Sequence, residues 1–167
     1  MFRQTHGMAK DDPEDTRTYR RNVGVVLRRA DGKILMCERI NKAGAWQFPQ
    51  GGVKRKEERL DALWREIEEE LGLVPPEQFC TVVGYGPEVT YRFRGKARER
   101  ISRKYKGQAQ MLYLMDYHGT DEDFDLEYDD HPEFRAFQWV TVQEAIEIIW
   151  KIKRPVFVAT VEALGML

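Results

Sequence analysis

The chain is poor in several things, and each shortage removes a class of protein. It has two cysteines in 167 residues, Cys37 and Cys80, too few and too widely spaced for a disulfide framework or a thiolate metal site. Both are read as reduced thiols of a cytoplasmic protein. No apolar run approaches the roughly 18 residues needed to cross a bilayer as a helix, so no membrane partner is expected. The first 18 residues, MFRQTHGMAKDDPEDTRT, are polar and lack the apolar centre of a secretory signal. They are read as a flexible extension, with Met8 as a second candidate start. Neither an internal repeat nor a low-complexity linker is present, which argues against a solenoid or an array of modules. Net charge is almost absent too, at −1, yet the charges are unevenly placed. Residues 91–106 hold eight Lys or Arg against one Glu, whereas residues 121–133 hold eight acids and no Lys or Arg. A basic stretch suits a polyanion and an acidic one suits a metal, but either is also an ordinary solvated loop.

What remains is an ordinary globular composition, 42% hydrophobic and 33% charged, in a chain sized for one domain with a real core. Residues 23–29 and 34–39 read as strands joined by the turn ADGK, with a short extended piece at 46–49. The stretch QGGVKRKEE then interrupts regular structure. Over 58–71, Leu60, Leu63, Trp64, Ile67 and Leu71 recur at helical spacing, and Gly72 with Pro75 and Pro76 ends the helix. Strands are expected near 79–85, 88–93, 108–117 and 136–140. The Thr141 and Glu144 capping box then opens a helix, and Pro155 begins the last one. The order implies an α/β protein, a mixed sheet with helices on its faces.

The chemistry concentrates in REIEEELG, residues 65–72. Its acids stand at a helix C-terminus, where the macrodipole disfavours them, and Glu66 faces Glu70 one turn on. On a helical wheel Glu66, Glu69 and Glu70 fall within an arc of about 100° beside the apolar stripe. Three convergent carboxylates suit a hard divalent cation such as Mg2+, with Mn2+ as the variant. Gly51 and Gly52 would let the backbone approach, so that a carbonyl of Gly51 could join the ligand set. A plain charged amphipathic helix is the alternative.

From Gly51 the chain runs G-x5-E-x7-R-E-U-x-E-E-x-G-U, with U aliphatic. Gly51, Glu57, Arg65, Glu66, Ile67, Glu69, Glu70, Gly72 and Leu73 fill every defined position. This resembles the Nudix signature. The resemblance implies an α/β/α sandwich with a mixed sheet, spanning residues 19–167, that hydrolyses nucleotide pyrophosphate linkages with a divalent metal. It implies metal ligation by Glu66, Glu69 and Glu70, assistance from Glu57, and an orienting role for Arg65. Further segments, YRRNVGVVL, WQFPQGG, GQAQ and PEFRAFQWV, look like bacterial RNA 5′ pyrophosphohydrolases and the similar diadenosine polyphosphate hydrolases. By that likeness Arg20 and Arg39 would contact substrate phosphates, and Glu133 would be a further metal-linked carboxylate. Tyr91 and Lys153 would touch the nucleotide end, and Trp150 and Ile152 would flank a base.

The chain departs from those relatives at Met111 and Leu112, where a basic and an aromatic residue are usual, and at Arg94. The expected activity is conversion of 5′-triphosphate RNA to 5′-monophosphate RNA, which starts decay. The basic run favours RNA, because each phosphate neutralised along a polyanion releases counterions. The alternatives are hydrolysis of a dinucleoside polyphosphate, and a non-catalytic nucleotide- or RNA-binding module. A protein activator is compatible with the likeness, although no residue pattern points to one.

Overall fold

The computed structural model describes residues 17–93 and 104–167. Ten of the residues that carry the basic run, 94–103, therefore lie outside the described residues, as do residues 1–16. The described chain forms strands β1 (Thr18–Arg28), β2 (Ile34–Arg39), β3 (Trp46–Gln47), β4 (Gln50–Gly52), β5 (Cys80–Tyr85), β6 (Val89–Arg92), β7 (Tyr105–Tyr117) and β8 (Phe134–Val140). Its helices are α1 (Arg59–Leu71), α2 (Val142–Ile148) and α3 (Arg154–Ala163).

One mixed sheet carries these strands. Its central pair is parallel, with β1 and β7 aligned from Thr18↔Tyr105 to Arg28↔Asp116. All other pairings are antiparallel: β2 against β1, β3 and β8, β4 against β1, and β5 and β6 against β7. Strand alternation sends every second side chain to the opposite face. Val23, Val25 and Leu27 therefore pack with Ala62, Leu63, Ile67 and Leu71 of α1. Val26, Leu112 and Leu114 pack with Ala145, Val156, Phe157 and Val161 on the other side. The result is the expected α/β/α sandwich, with the central strands β1, β2 and β7 covered on both faces. Each fully buried Leu, Ile or Phe contributes about 1.5–3 kcal/mol, so the first layer fixes α1 against one face of the sheet and the second fixes α2 and α3 against the other.

Helix ends follow the local chemistry. Gly72 closes α1 at φ 67°, a left-handed conformation that glycine adopts without steric cost, and its N–H donates to the Glu68 carbonyl. The Thr141 and Glu144 side chains cap α2 reciprocally. Two expectations needed adjustment. The first strand begins at Thr18 rather than 23, because β7 supplies a parallel partner along its whole length. Gln50–Gly52, read as irregular, is a strand, since Asn22, Val23 and Gly24 pair with it. Both cysteines are buried and free, in agreement with the reading of reduced thiols. Among the described residues no helix is long and apolar enough to cross a membrane.

Candidate active site

Strand β4 and helix α1 meet where the sheet centre opens into a cavity of about 280 Å³. One side is acidic: Glu66, Glu69 and Glu70 from α1, and Glu133 from the residue before β8. Arg20 from β1 and Arg39 from the end of β2 also line it, together with Asn22, Gln47, Gln50, Gly51, Gly52 and Gln108. The structure thus brings together eight residues singled out from the sequence, drawn from five separate elements or their ends.

Local packing explains their positions. Glu66 and Glu70 share the buried edge of α1 with Ile67 and Leu71. Arg39 sits at a register shift in the β2–β8 pairing, where an irregular strand can re-aim a side chain. It pairs there with Phe134, the neighbour of Glu133, so both ligands of opposite charge arrive from one strand pair. The two glycines are spatial requirements. A Cβ on Gly51 would lie 1.9 Å from Cδ of Glu66, and one on Gly52 would lie 2.2 Å from Nη2 of Arg20.

Arg65 does not line the cavity. Its guanidinium donates to Glu57 through Nη2 at 3.0 Å and Nε at 3.2 Å, to Glu66 Oε1 at 2.7 Å, and to the Gly52 carbonyl at 3.0 Å. One planar fork therefore ties α1, β4 and the loop before α1 together, in keeping with an orienting role. Glu57 is held outside the cavity, its carboxyl kept below the ordinary range first by the Arg65 hydrogen bond.

The other acids are uncomfortable. Glu66 is pushed up to about 7, first by burial and then by Glu69 and Glu133, against the opposing pull of Arg65. Glu70 is raised well above its usual value by burial and by Glu66, although the Gln50 N–H donates to its Oε2 at 3.0 Å. Among the described residues no three Asp, Glu, His or Cys groups converge tightly enough as placed to complete a ligand set. Glu66 accepts from Arg65 and Glu70 from the β4 backbone, so each carboxylate is engaged by a neighbour. The donor chemistry nevertheless fits a hard dication: the candidate ligands are all oxygen, and two are buried with more negative charge than their neighbours neutralise.

The remaining expected substrate residues occupy a separate position. Lys153 is buried at 2% exposure, and its Nζ donates to the Tyr91 hydroxyl at 2.6 Å. Tyr91 in turn donates to Oε1 of Gln108, which reaches the cavity. Burial, reinforced by Arg39, lowers the Lys153 pKa to about 7. Trp150 and Ile152 do not line the cavity. The guanidinium of Arg39 stands 5.3 Å from the Trp150 ring and Lys42 Nζ stands 4.8 Å from it, a cation–π arrangement at the cavity margin. Of the acidic run only Glu133 reaches the site, while Asp121–Asp123 forms an exposed 3₁₀ turn.

Sequence reasoning missed the amides Asn22, Gln47, Gln50 and Gln108. A buried amide has no periodic signature. Their signal was positional: Asn22 falls in YRRNVGVVL, Gln47 and Gln50 in WQFPQGG, and Gln108 in GQAQ, segments whose likeness to relatives carried no role for the amides.

The NUDIX domain profile matches residues 18–159. An RNA pyrophosphohydrolase of Xanthomonas campestris pv. campestris (strain B100) is 34% identical over 151 residues, covering 89% of this chain and 72% of its own. An RNA pyrophosphohydrolase of Stenotrophomonas maltophilia (strain K279a) is 35% identical with the same coverage. Among solved structures, a C. elegans Ap4A hydrolase binary complex superposes with a TM-score of 0.65 at 18% identity, over 89% of this chain and 99% of that one. The E. coli dihydroneopterin triphosphate pyrophosphohydrolase superposes at 0.66 and 20% identity, over 84% and 95%. These likenesses to solved structures bear on the fold. The profile match and the identities to the curated relatives go further: the chain belongs to the Nudix family and is a pyrophosphohydrolase of the Nudix type.

Proposed function

We propose that residues 19–167 form a cytoplasmic RNA 5′ pyrophosphohydrolase, which converts 5′-triphosphate RNA to 5′-monophosphate RNA and so starts decay. The observation that carries this reading is one cavity in which four carboxylates share the space with Arg20 and Arg39, in a chain similar to RNA pyrophosphohydrolases. Nudix hydrolases use divalent metals. Here Glu66, Glu69, Glu70, Glu133 and the Gly51 carbonyl would hold Mg2+, with Mn2+ as a substitute. When bound, the metal lowers the pKa of an attacking water and neutralises charge on phosphoryl oxygens.

The chain's own residues do the rest. Arg65 fixes the direction of Glu66 and anchors Glu57 and Gly52. Arg20 and Arg39 bind phosphate oxygens, and their fixed charge holds the polyphosphate in line for hydrolysis. Trp150, against which Arg39 and Lys42 stand, offers a ring on which the first base stacks, and Ile152 is assigned the other flank of that base. Overall, one water is added and one phosphoanhydride bond breaks.

A dinucleoside polyphosphate is the second reading. The compactness of the cavity favours it, because a short polyphosphate bridge needs only this clamp. A side-by-side kinetic comparison with Mg2+ decides between them. Release of pyrophosphate from triphosphorylated RNA at a kcat/KM well above that for diadenosine tetraphosphate is the expected result. Inertness on RNA beside brisk turnover of the dinucleotide refutes the first reading. Glu69→Gln should abolish turnover. A variant that kept turnover would remove this carboxylate from the mechanism.

A further inference from the structure

Behind the acidic wall lies a buried amide cluster that the signature does not include. Gln110 of β7 is fully buried, and its single Nε2 group donates to Oδ1 of Asn22 on β1 at 2.6 Å and to Oε1 of Gln50 on β4 at 2.6 Å. Both amide hydrogens of Gln110 are thereby used, and its own Oε1 has no partner among the described residues. Asn22 and Gln110 face each other in the β1–β7 register, while Gln50 pairs with Gly24, so the cluster joins three strands. Asn22 and Gln50 line the cavity, and Gln110 does not.

An amide has one accepting end and one donating end. If Gln110 grips both oxygens, Asn22 must present Nδ2 to the cavity and Gln50 must present Nε2. The reverse arrangement, in which Gln110 accepts from both, would turn two oxygens into the cavity. It would also strand both hydrogens of a fully buried NH2 group. Unpaired buried donors are rarer than under-used carbonyl oxygens, so the network favours the arrangement seen. Orientation matters for function. Oxygens in the cavity would be metal ligands, whereas NH2 groups can only donate to an anion.

We propose that Asn22 and Gln50 form a neutral phosphate-binding wall, and that Gln110 is the positioning residue that turns their donors toward the substrate. The ligand class is the non-bridging oxygens of a polyphosphate. The inference rests on the reading of this cavity as a polyphosphate hydrolase site, but not on which nucleotide is attached. Neutral donors suit this role. They direct the phosphate chain without adding the fixed positive charge that would hold a released phosphate product.

The test uses side-chain amide NMR of the full ¹⁵N-labelled chain, with methylenediphosphonate as a non-hydrolysable probe and Asn22→Asp and Gln50→Glu to assign the signals. Both NH2 pairs should shift when methylenediphosphonate is added with Mg2+, and should move little with Mg2+ alone. Shifts with Mg2+ alone would make the amides metal ligands and overturn the proposal, as would no shift under either condition. Kinetics provide a second readout. Gln110→Glu offers only acceptors when ionised and so should turn Asn22 and Gln50 around, raising KM by about tenfold or more, a larger change than any in kcat. Gln110→Met frees the amides without reversing them and should raise KM less. Equal effects of the two substitutions on KM would mean that Gln110 is merely structural. The probe separates this proposal from the RNA reading: a chain inert on RNA could still show the phosphonate shifts, and an RNA hydrolase could lack them.

Discussion

Gly51→Ala tests whether the site depends on backbone proximity to the acidic helix. The added methyl would stand 1.9 Å from Cδ of Glu66 and 2.1 and 2.4 Å from its two oxygens. Side-chain Cβ atoms essentially never approach other heavy atoms within 3.0 Å, so the carboxylate must retreat by at least about 1 Å. Gly51 does not adopt a positive φ, so the penalty is lost space rather than backbone strain. A misplacement of that size at a catalytic group costs about 10²-fold in turnover, or about 2.7 kcal/mol in the barrier. Gly52→Ala is the control, because its methyl would meet the terminal nitrogen of Arg20, the far end of a flexible side chain. The assay is steady-state turnover together with the Mg2+ concentration for half-maximal rate. Gly51→Ala should lower kcat and weaken metal dependence, while Gly52→Ala should raise KM several-fold with a smaller effect on kcat. Turnover by Gly51→Ala within about threefold of the parent would refute the argument that this glycine exists to admit Glu66.

Other perturbations address the electrostatics. With Glu66 raised to about 7 by burial, the folded metal-free protein binds more protons than the unfolded chain between about pH 4.5 and 7. Its stability should therefore fall as pH rises through that window, by about 1–3 kcal/mol for this group. Chemical denaturation in a chelator should show a shallower fall for Glu66→Gln, and an unchanged slope would refute the assignment. Lys153 has the opposite sign. Its pKa is lowered to about 7, so its contribution grows as pH rises from there toward the unfolded value, and Lys153→Met should flatten that rise in the same melts. Arg65→Lys keeps the charge but loses the fork to Glu57, Glu66 and Gly52. A drop in kcat of about 10–100-fold, with about 1–2 kcal/mol of stability lost, is expected. Full activity in this variant would show that geometry at Arg65 is unimportant.

The comparison of chain and structure is instructive at particular residues. The stripe of Leu63, Ile67 and Leu71 set the helix and its buried face, and Gly72 set its end, because both depend on interactions within a few residues. The glutamates at 66, 69 and 70 were legible for the same reason, since helical geometry converts their spacing directly into a shared arc. Gln50–Gly52 was read as irregular because its hydrogen bonds go to β1, some 28 residues earlier in the chain. Lys153 was expected at the nucleotide end, but its burial was not legible, because no local pattern announces contact with a tyrosine 62 positions away.

The sequence alone therefore determined the helix that carries the carboxylates, the alternation of the strands, and the family whose spacing the motif repeats. Tertiary structure decided which other residues share the cavity with those carboxylates. It placed Arg20, Arg39 and Glu133 beside them, withdrew Arg65, Glu57, Tyr91 and Lys153 behind the lining, and joined Asn22, Gln50 and Gln110 across three strands. The physical reason is one of range. Periodicity and capping act over one or two turns of chain, whereas the pairing of β1 with β7 and the burial of polar groups are settled only when distant segments meet and exclude water.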